Sequence, residues 1–149
     1  MNRRSCRKSR KTIKRYCSVM SEAFKIEIIS PEKIILSSST VSATLPSYEG
    51  NMTILKDHIP IITYLRPGFI NLEINNSIED FYVEEGTVEF SKNKLLILSS
   101  TAIKIKEFKN SEIEKLVAKT QESIKDPNIT DRERYILSYK LETLREIAK

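Results

Sequence analysis

The stretch from Leu45 to Gly68 constrains the fold most, because turn-forming residues divide short apolar runs at close intervals. Glu49–Gly50 predicts one turn, Lys56–His58 a loop, and Arg66–Gly68 a tight turn around a proline. Pro60 opens a further apolar run between the last two of these. Short apolar runs separated in this way are typical of strands joined by tight connections. This part of the chain is therefore predicted to form the core of a β-domain.

The same strand pattern extends from Phe24 to about Lys106, where apolar side chains recur at short spacing between Ser, Asn, Gly and Pro. The apolar sets are Phe24-Ile26-Ile28, Val41-Ala43-Leu45, Phe69-Leu72-Ile74, Phe81-Val83, Val88-Phe90, Leu96-Leu98 and Ile103-Ile105. Seven or more short strands of this kind predict an antiparallel β-sandwich or flattened barrel.

After Phe108 the apolar period becomes helical. Ser111 with Glu114, and Thr130 with Glu133, predict capping boxes at the start of two helices, and the segment 126–128 breaks the chain between them. The predicted buried stripes are Ile113, Leu116, Val117 and Ile124 on the first helix, and Leu137, Leu141, Leu144 and Ala148 on the second. The sequence thus predicts an α+β chain with a β-sandwich over 22–107, followed by an antiparallel two-helix hairpin over 108–149.

Residues 1–21 form a basic tail with eight Lys and Arg and no acidic residue, whereas the rest of the chain has 17 basic and 20 acidic residues. Three interpretations fit the tail: a translated stretch upstream of a true start at Met20, a mitochondrial presequence, or a disordered extension that touches anionic lipid or RNA. Cys6 and Cys17 both lie in this tail, too far apart for a zinc motif, and are interpreted as incidental thiols.

No pattern in the chain indicates catalysis, a metal site or a cofactor. His58 is the single histidine, and Glu84-Glu85 before Gly86 is interpreted as a solvated turn rather than an acid–base pair. Glycine-rich nucleotide motifs are absent from the sequence, and every apolar run is shorter than the roughly 20 residues that a membrane-spanning helix needs.

The order of these motifs resembles a known family. Pro46, Glu49-Gly50, His58 with Pro60, and Pro67-Gly68 follow one another as in the epsilon subunit of bacterial F-type ATP synthases, called delta in mitochondria. Further landmarks of the family match at Ser30-Pro31-Glu32, Tyr82 to Val88, and Thr101-Ala102-Ile103, so the resemblance runs from Phe24 to about Lys149.

The resemblance implies a non-catalytic rotor subunit at the foot of the central stalk, with the gamma subunit on one face of the sandwich and the membrane ring of c subunits on the other. Candidates for the rotor contacts are Tyr48, Asn51, His58, Tyr64 and Arg66. Asn51 stands where the family has an acidic residue, and the two tyrosines are equally compatible with the core. The implied location is peripheral, on the cytoplasmic face of a bacterial inner membrane or the matrix side of a mitochondrial one.

The resemblance also implies a regulatory role for the hairpin, which in the family can extend toward the catalytic alpha/beta head and block ATP hydrolysis. Arg132, Arg134, Lys140 and Arg145 are the candidate contacts to acidic segments of the head. The alternative is a solvated helix face balanced by Glu133, Glu142 and Glu146. Some members bind ATP through an arginine near the start of the first helix, where this chain has Glu112, so no nucleotide site is expected.

Two other classes of function stay open at this point. A small nucleic-acid-binding protein would use the basic tail, although the β-segments lack the interleaved aromatic and basic residues of a base-stacking sheet, and no specific nucleic acid is expected. A small β-fold enzyme would need a pocket with several polar groups around His58.

Overall fold

The computed structural model describes residues 22–148 of the chain, so the three interpretations of the basic tail lie outside the described residues. No helix within 22–148 combines the length and the apolar character that crossing a membrane requires.

A curled sheet of ten strands forms the first part of the structure. The strands are β1 (Phe24–Ile29), β2 (Ile34–Thr40), β3 (Ser42–Ser47), β4 (Gly50–Leu55), β5 (Ile61–Leu65), β6 (Gly68–Ile74), β7 (Ser77–Val83), β8 (Gly86–Ser91), β9 (Lys94–Leu98) and β10 (Ile103–Lys104). Their order across the sheet is β10-β7-β6-β3-β5-β8-β9-β1-β2, and β4 pairs with β3 outside this path. Neighbours are antiparallel except β1 and β9, which run parallel. The predicted β-sandwich is confirmed.

The core lies inside the curl of this sheet, where every second side chain of the strands points. On β6, Gly68, Ile70, Leu72 and Ile74 are buried, and the residues between them are half-buried or exposed. Gly68 has no room for a side chain, because a Cβ there would lie 2.5 Å from Cβ of Pro46. Gly68 thus allows β6 to lie close to β3.

The apolar set predicted for β9, Leu96 and Leu98, lies on the opposite face of the strand from the core. Leu95 and Ile97 are buried, while Leu98 is exposed to 46%. The antiparallel pairing with β8 sets this choice, since Leu95 lies opposite Phe90 and Ile97 opposite Val88. The next strand also differs from the prediction, because β10 ends at Lys104 and Ile105 begins a 3-10 turn, Ile105–Glu107.

The two predicted helices are α1 (Asn110–Lys125) and α2 (Asp131–Ile147), and they pack against each other. The capping box at Thr130 is confirmed: the Glu133 amide donates to Thr130 Oγ1 over 3.3 Å, and the Thr130 amide donates to Glu133 Oε2 over 2.9 Å. These bonds, the one from the Thr130 backbone first, lower the pKa of Glu133.

The capping box predicted at Ser111 is wrong, because α1 already begins at Asn110 and its cap, Lys109, makes no side-chain bond. The predicted stripes face inward except at Ala148, since Ile113 and Leu144 are buried and the other apolar members are half-buried. Ala148 is exposed and follows the last residue of α2, so it does not belong to the stripe.

Candidate functional site

The turn between β3 and β4 brings three of the predicted contact residues together. Arg66, at the end of β5, donates from Nε to the Ser47 carbonyl over 2.9 Å and from Nη2 to Asn51 Oδ1 over 3.2 Å. Tyr48 occupies the tip of the same turn and is exposed. Asn51 therefore has a local role, in which it orients the guanidinium of Arg66.

Arg66 is itself covered by the helical hairpin. Its guanidinium carbon lies 4.1 Å from the ring centroid of Tyr139 on α2, a cation–π arrangement. Tyr139 is held in turn by Tyr135, whose hydroxyl donates to that of Tyr139 over 3.1 Å and whose ring meets it edge-on. The same hydrogen bond raises the pKa of Tyr135. In this structure Arg66 is half-buried, and the hairpin covers one face of its guanidinium.

His58 lies in the loop 56–60 between β4 and β5, called the His58 loop below. It is half-buried, its Nδ1–H donates to the Ile59 carbonyl over 2.8 Å, and its ring meets Phe90 of the core edge-on at 6.0 Å. The exposed apolar side chains of this region are Leu55 and Ile59 on either side, and Ile59 is exposed to 74%. His58 thus supports the loop from within, while Leu55 and Ile59 face outward.

A reciprocal pair of hydrogen bonds fixes the His58 loop. The Asp57 amide donates to Asn93 Oδ1 over 2.7 Å, and Asn93 Nδ2 donates to Asp57 Oδ1 over 2.8 Å. Both residues have positive φ, 61° and 57°, which Asp and Asn tolerate better than most residues. The turn between β8 and β9, which contains Asn93, therefore holds the loop in one conformation.

Tyr64 belongs to a row of four residues across four strands, in which Tyr64 and Leu98 are exposed and the other two are half-buried. Tyr64 on β5 lies opposite Thr87 on β8, Thr87 opposite Leu98 on β9, and Leu98 opposite Ile29 on β1. We call these four residues the outer row. Tyr64 is exposed to 66%, and Ile62, two residues before it on β5, to 72%. Both tyrosine candidates are thus outside the core, and the core alternative for them is wrong.

An open groove of about 860 Å³ runs along the outer row. Besides the row, its walls contain Tyr48 from the β3–β4 turn and Arg132 from the first turn of α2. The structure therefore brings Arg132, which was predicted to contact the catalytic head, beside Tyr48 and Tyr64, which were predicted for the rotor contacts. Ile62, Leu98 and Ile29 were not predicted as contact residues from the sequence. Apolar residues on both faces of β5 and β9 were the sequence feature that could have indicated them.

The four basic residues of α2 that were predicted to contact the catalytic head differ in exposure and in ion pairing. Arg132, Arg134 and Arg145 are exposed, whereas Lys140 is half-buried and its Nζ lies 2.6 Å from Glu84 Oε2. Within residues 22–148, none of the three arginines forms an ion pair with the neighbouring glutamates of α2. The three arginines are available to a partner, and Lys140 is bound to the sandwich.

Glu84 is not the solvated turn residue that the sequence suggested. Its carboxylate is half-buried and also accepts a hydrogen bond from the Tyr82 hydroxyl over 3.3 Å. Burial of Tyr82, with the negative charge of Glu84 as a further cause, raises the pKa of this phenol well above its usual value. Across residues 22–148, no group of three or more His, Cys, Asp or Glu is placed to hold a metal ion.

Comparison with known proteins gives a consistent result. Residues 23–105 match the family model described as the ATP synthase Delta/Epsilon chain, beta-sandwich domain. The ATP synthase epsilon chain of Pelagibacter ubique is 41% identical over 129 residues, which cover 86% of this chain and 99% of that one. The epsilon chain of Dichelobacter nodosus is 31% identical over 110 residues, which cover 73% and 77% of the two chains.

Two solved structures share the fold. One is a chain of the Euglena gracilis mitochondrial ATP synthase, solved as OSCP/F1/c-ring, with a TM-score of 0.70, 16% identity, and 85% and 82% of the two chains covered. The other is a chain of the central stalk and c-ring of the Tetrahymena thermophila mitochondrial enzyme, with a TM-score of 0.57, 15% identity, and coverage of 87% and 98%. This chain belongs to the ATP synthase delta/epsilon family, whose members are non-catalytic subunits of that complex.

Proposed function

We propose that this chain is a rotor subunit at the foot of the central stalk, where its β-sandwich connects the gamma subunit to the membrane ring of c subunits. The observation that carries the proposal is the outer row with its neighbour Ile62, a strip on a rigid sheet along which Ile62, Tyr64 and Leu98 are exposed. Contiguous exposed apolar surface is typical of protein interfaces. A sheet whose backbone is fixed by pairing on both sides loses little conformational entropy when it binds.

We assign the gamma contact to the outer row and its groove. Tyr48 and Tyr64 stand at its edges, and tyrosine is among the residues that most often dominate binding energy at interfaces. Arg132 adds one positive charge to the wall of the groove. Glu49 and Glu85 add two negative charges to the same walls, so this surface suits a partner segment with an apolar centre and a polar edge that carries both signs of charge.

We assign the contact with the c-ring to the His58 loop. Two exposed apolar residues, Leu55 at the end of β4 and Ile59 in the loop, flank the segment that Asp57 and Asn93 hold in one conformation, so binding requires little further ordering. His58 contributes to this surface chiefly by supporting the loop, because its ring packs against Phe90. We place the complex on the cytoplasmic face of a bacterial inner membrane or on the matrix side of a mitochondrial one, coupled to proton flow.

The gamma contact is tested by co-elution and affinity measurement with the gamma subunit of the same organism. Tyr64→Ser and Ile62→Ser should each weaken binding by about 10- to 30-fold, because each removes a large exposed apolar group from the contact. Ile78→Ser is the matched control, since Ile78 is exposed to 67% but lies on β7, away from the outer row. Equal losses for all three variants, or no binding of the parent chain at micromolar concentration, would contradict the assignment.

We propose further that the hairpin restrains ATP hydrolysis when it leaves the sandwich and reaches the catalytic alpha/beta head. Arg132, Arg134 and Arg145 are exposed along α2 and can meet acidic segments there. Truncation after Phe108 should raise ATP hydrolysis by the assembled enzyme and largely preserve synthesis. Reversal of the three arginine charges should reproduce part of that rise, and the effect should shrink with salt, because exposed pairs are screened over about 10 Å at 0.1 M. Unchanged hydrolysis after truncation would refute the regulatory role.

A further inference from the structure

We propose that two contacts form a latch that keeps the hairpin on the sandwich, namely Arg66 with Tyr139 and Glu84 with Lys140, and that the latch sets how often the hairpin leaves. Tyr139 and Lys140 are adjacent on α2, and their partners belong to two different parts of the β-sandwich. The inference rests on the proposed regulatory function, since it concerns the release step that this function requires.

In the first contact, both Arg66 and Tyr139 are held in place by neighbouring residues. Hydrogen bonds to the Ser47 carbonyl and to Asn51 hold the guanidinium of Arg66 in place, and Tyr135 holds the ring of Tyr139. A cation–π pair between two fixed and partly desolvated groups is stronger than one between mobile groups at the surface.

The second contact is an ion pair that solvent reaches only in part. The side chains of Lys140 and Glu84 are exposed to 19% and 26%, so water and salt weaken this pair less than a fully exposed one. Glu84 is also held by the Tyr82 hydroxyl and, through its backbone amide, by Thr101. The carboxylate of Glu84 is thus held in position by bonds that do not depend on Lys140.

These contacts join the hairpin to the sandwich beside the packing of α2 on β6. The helices α1 and α2 contact each other more extensively than α2 contacts β6, and α1 packs chiefly on α2. Ile113 and Thr120 of α1 are buried although α1 makes little contact with the sheet. The hairpin can therefore leave as an intact unit, and the two latch contacts are among the interactions that its leaving must break.

Each contact of the latch also excludes an alternative contact of the same side chain. Arg66 cannot cover Tyr139 and reach a rotor partner with the same face of its guanidinium, and Lys140 cannot pair with Glu84 and with the catalytic head. Release of the hairpin therefore uncovers a cation on the sandwich and another on the helix in one step.

The rate of thiol labelling in the full-length chain tests the latch. In a background with Cys6→Ser and Cys17→Ser, Thr143→Cys places a reporter at a buried position of α2 that faces Gly68 and Phe69 of β6. A second reporter, Thr120→Cys, lies on α1 and stays covered if the hairpin leaves intact. Selective acceleration at the first reporter thus measures release rather than unfolding.

Tyr139→Leu and Glu84→Gln should each accelerate labelling at the first reporter about fivefold, and together by more than either alone. Arg145→Gln removes a cation of α2 that has no ion pair within 22–148, so it should label like the parent. Tyr139→Phe keeps the aromatic face but loses the hydroxyl bond to Tyr135, so it should accelerate labelling less than Tyr139→Leu. Exchange of the two charges, Glu84→Lys with Lys140→Glu, should restore slow labelling.

Unchanged labelling in both Tyr139→Leu and Glu84→Gln would overturn the latch, as would equal acceleration at both reporters. The assembled enzyme separates this result from the proposed function. If labelling accelerates while hydrolysis stays constant, the latch exists and the regulatory role fails. If truncation of the hairpin raises hydrolysis while the latch variants label like the parent, the role holds and the latch is wrong.

Discussion

The boundary between the two parts of the chain can be tested by removing one aromatic residue. Phe108 follows the 3-10 turn, and its ring meets the buried Tyr82 edge-on, with 5.6 Å between the centroids and 88° between the planes. The sequence placed Phe108 at the start of the hairpin part, whereas this contact ties it to the sandwich. Truncation after Glu107 should therefore yield a less stable β-domain than truncation after Phe108.

The expected difference follows from two terms. Burial of a whole phenylalanine side chain contributes about 1.5–3 kcal/mol, so the half-buried Phe108 contributes about 1 kcal/mol. An edge-on aromatic pair adds about 0.5–1.5 kcal/mol. The shorter fragment should thus be less stable by about 2 kcal/mol, which for a domain of this size lowers the melting temperature by roughly 10 °C.

Thermal and urea unfolding of the two fragments measure this difference, with Phe108→Ala in the longer fragment as the matched control. The control should unfold like the shorter fragment. Melting temperatures within about 2 °C of each other would show that Phe108 contributes nothing to the sandwich. If neither fragment folds, the hairpin is required for the β-domain, and the two-part organisation is wrong.

Three further predictions concern the hairpin, the His58 loop and pH. Thr130→Ala should cost about 1 kcal/mol in urea unfolding because it removes a formed capping box, whereas Ser111→Ala should change stability by less than about 0.5 kcal/mol. Asn93→Ala should lower the free energy of unfolding by about 1–3 kcal/mol and speed amide exchange at Asp57. Asn93→Gly should lower it by less, because glycine tolerates the positive φ. Equal losses of stability in the two variants would refute a contribution from the backbone conformation. Because the folded state raises the pKa of Tyr82, the folded protein keeps this proton more tightly than the unfolded chain, and stability should fall as pH rises above about 10. Urea unfolding across that range should show a shallower fall for Tyr82→Phe, and identical slopes would contradict the assignment.

The sequence determined those features that depend on near neighbours along the chain. The turn at Arg66–Gly68, the break after Lys125 and the capping box at Thr130 all follow from the conformational preferences of a few consecutive residues, and the structure has each of them. The alternation of apolar residues likewise predicted a β-sandwich followed by two helices. The order of these local signals along the chain was enough to indicate the family.

Only the tertiary structure decided which side chains meet across the fold. In β9 every residue from Leu95 to Leu98 is apolar, so alternation cannot choose a face, and pairing with Phe90 and Val88 makes the choice. The pairs Arg66–Tyr139, Glu84–Lys140 and Asp57–Asn93 join segments that are far apart in sequence. No local preference encodes such pairs, because each depends on how whole elements pack. The outer row arises in the same way, since strand register sets four residues from four strands side by side.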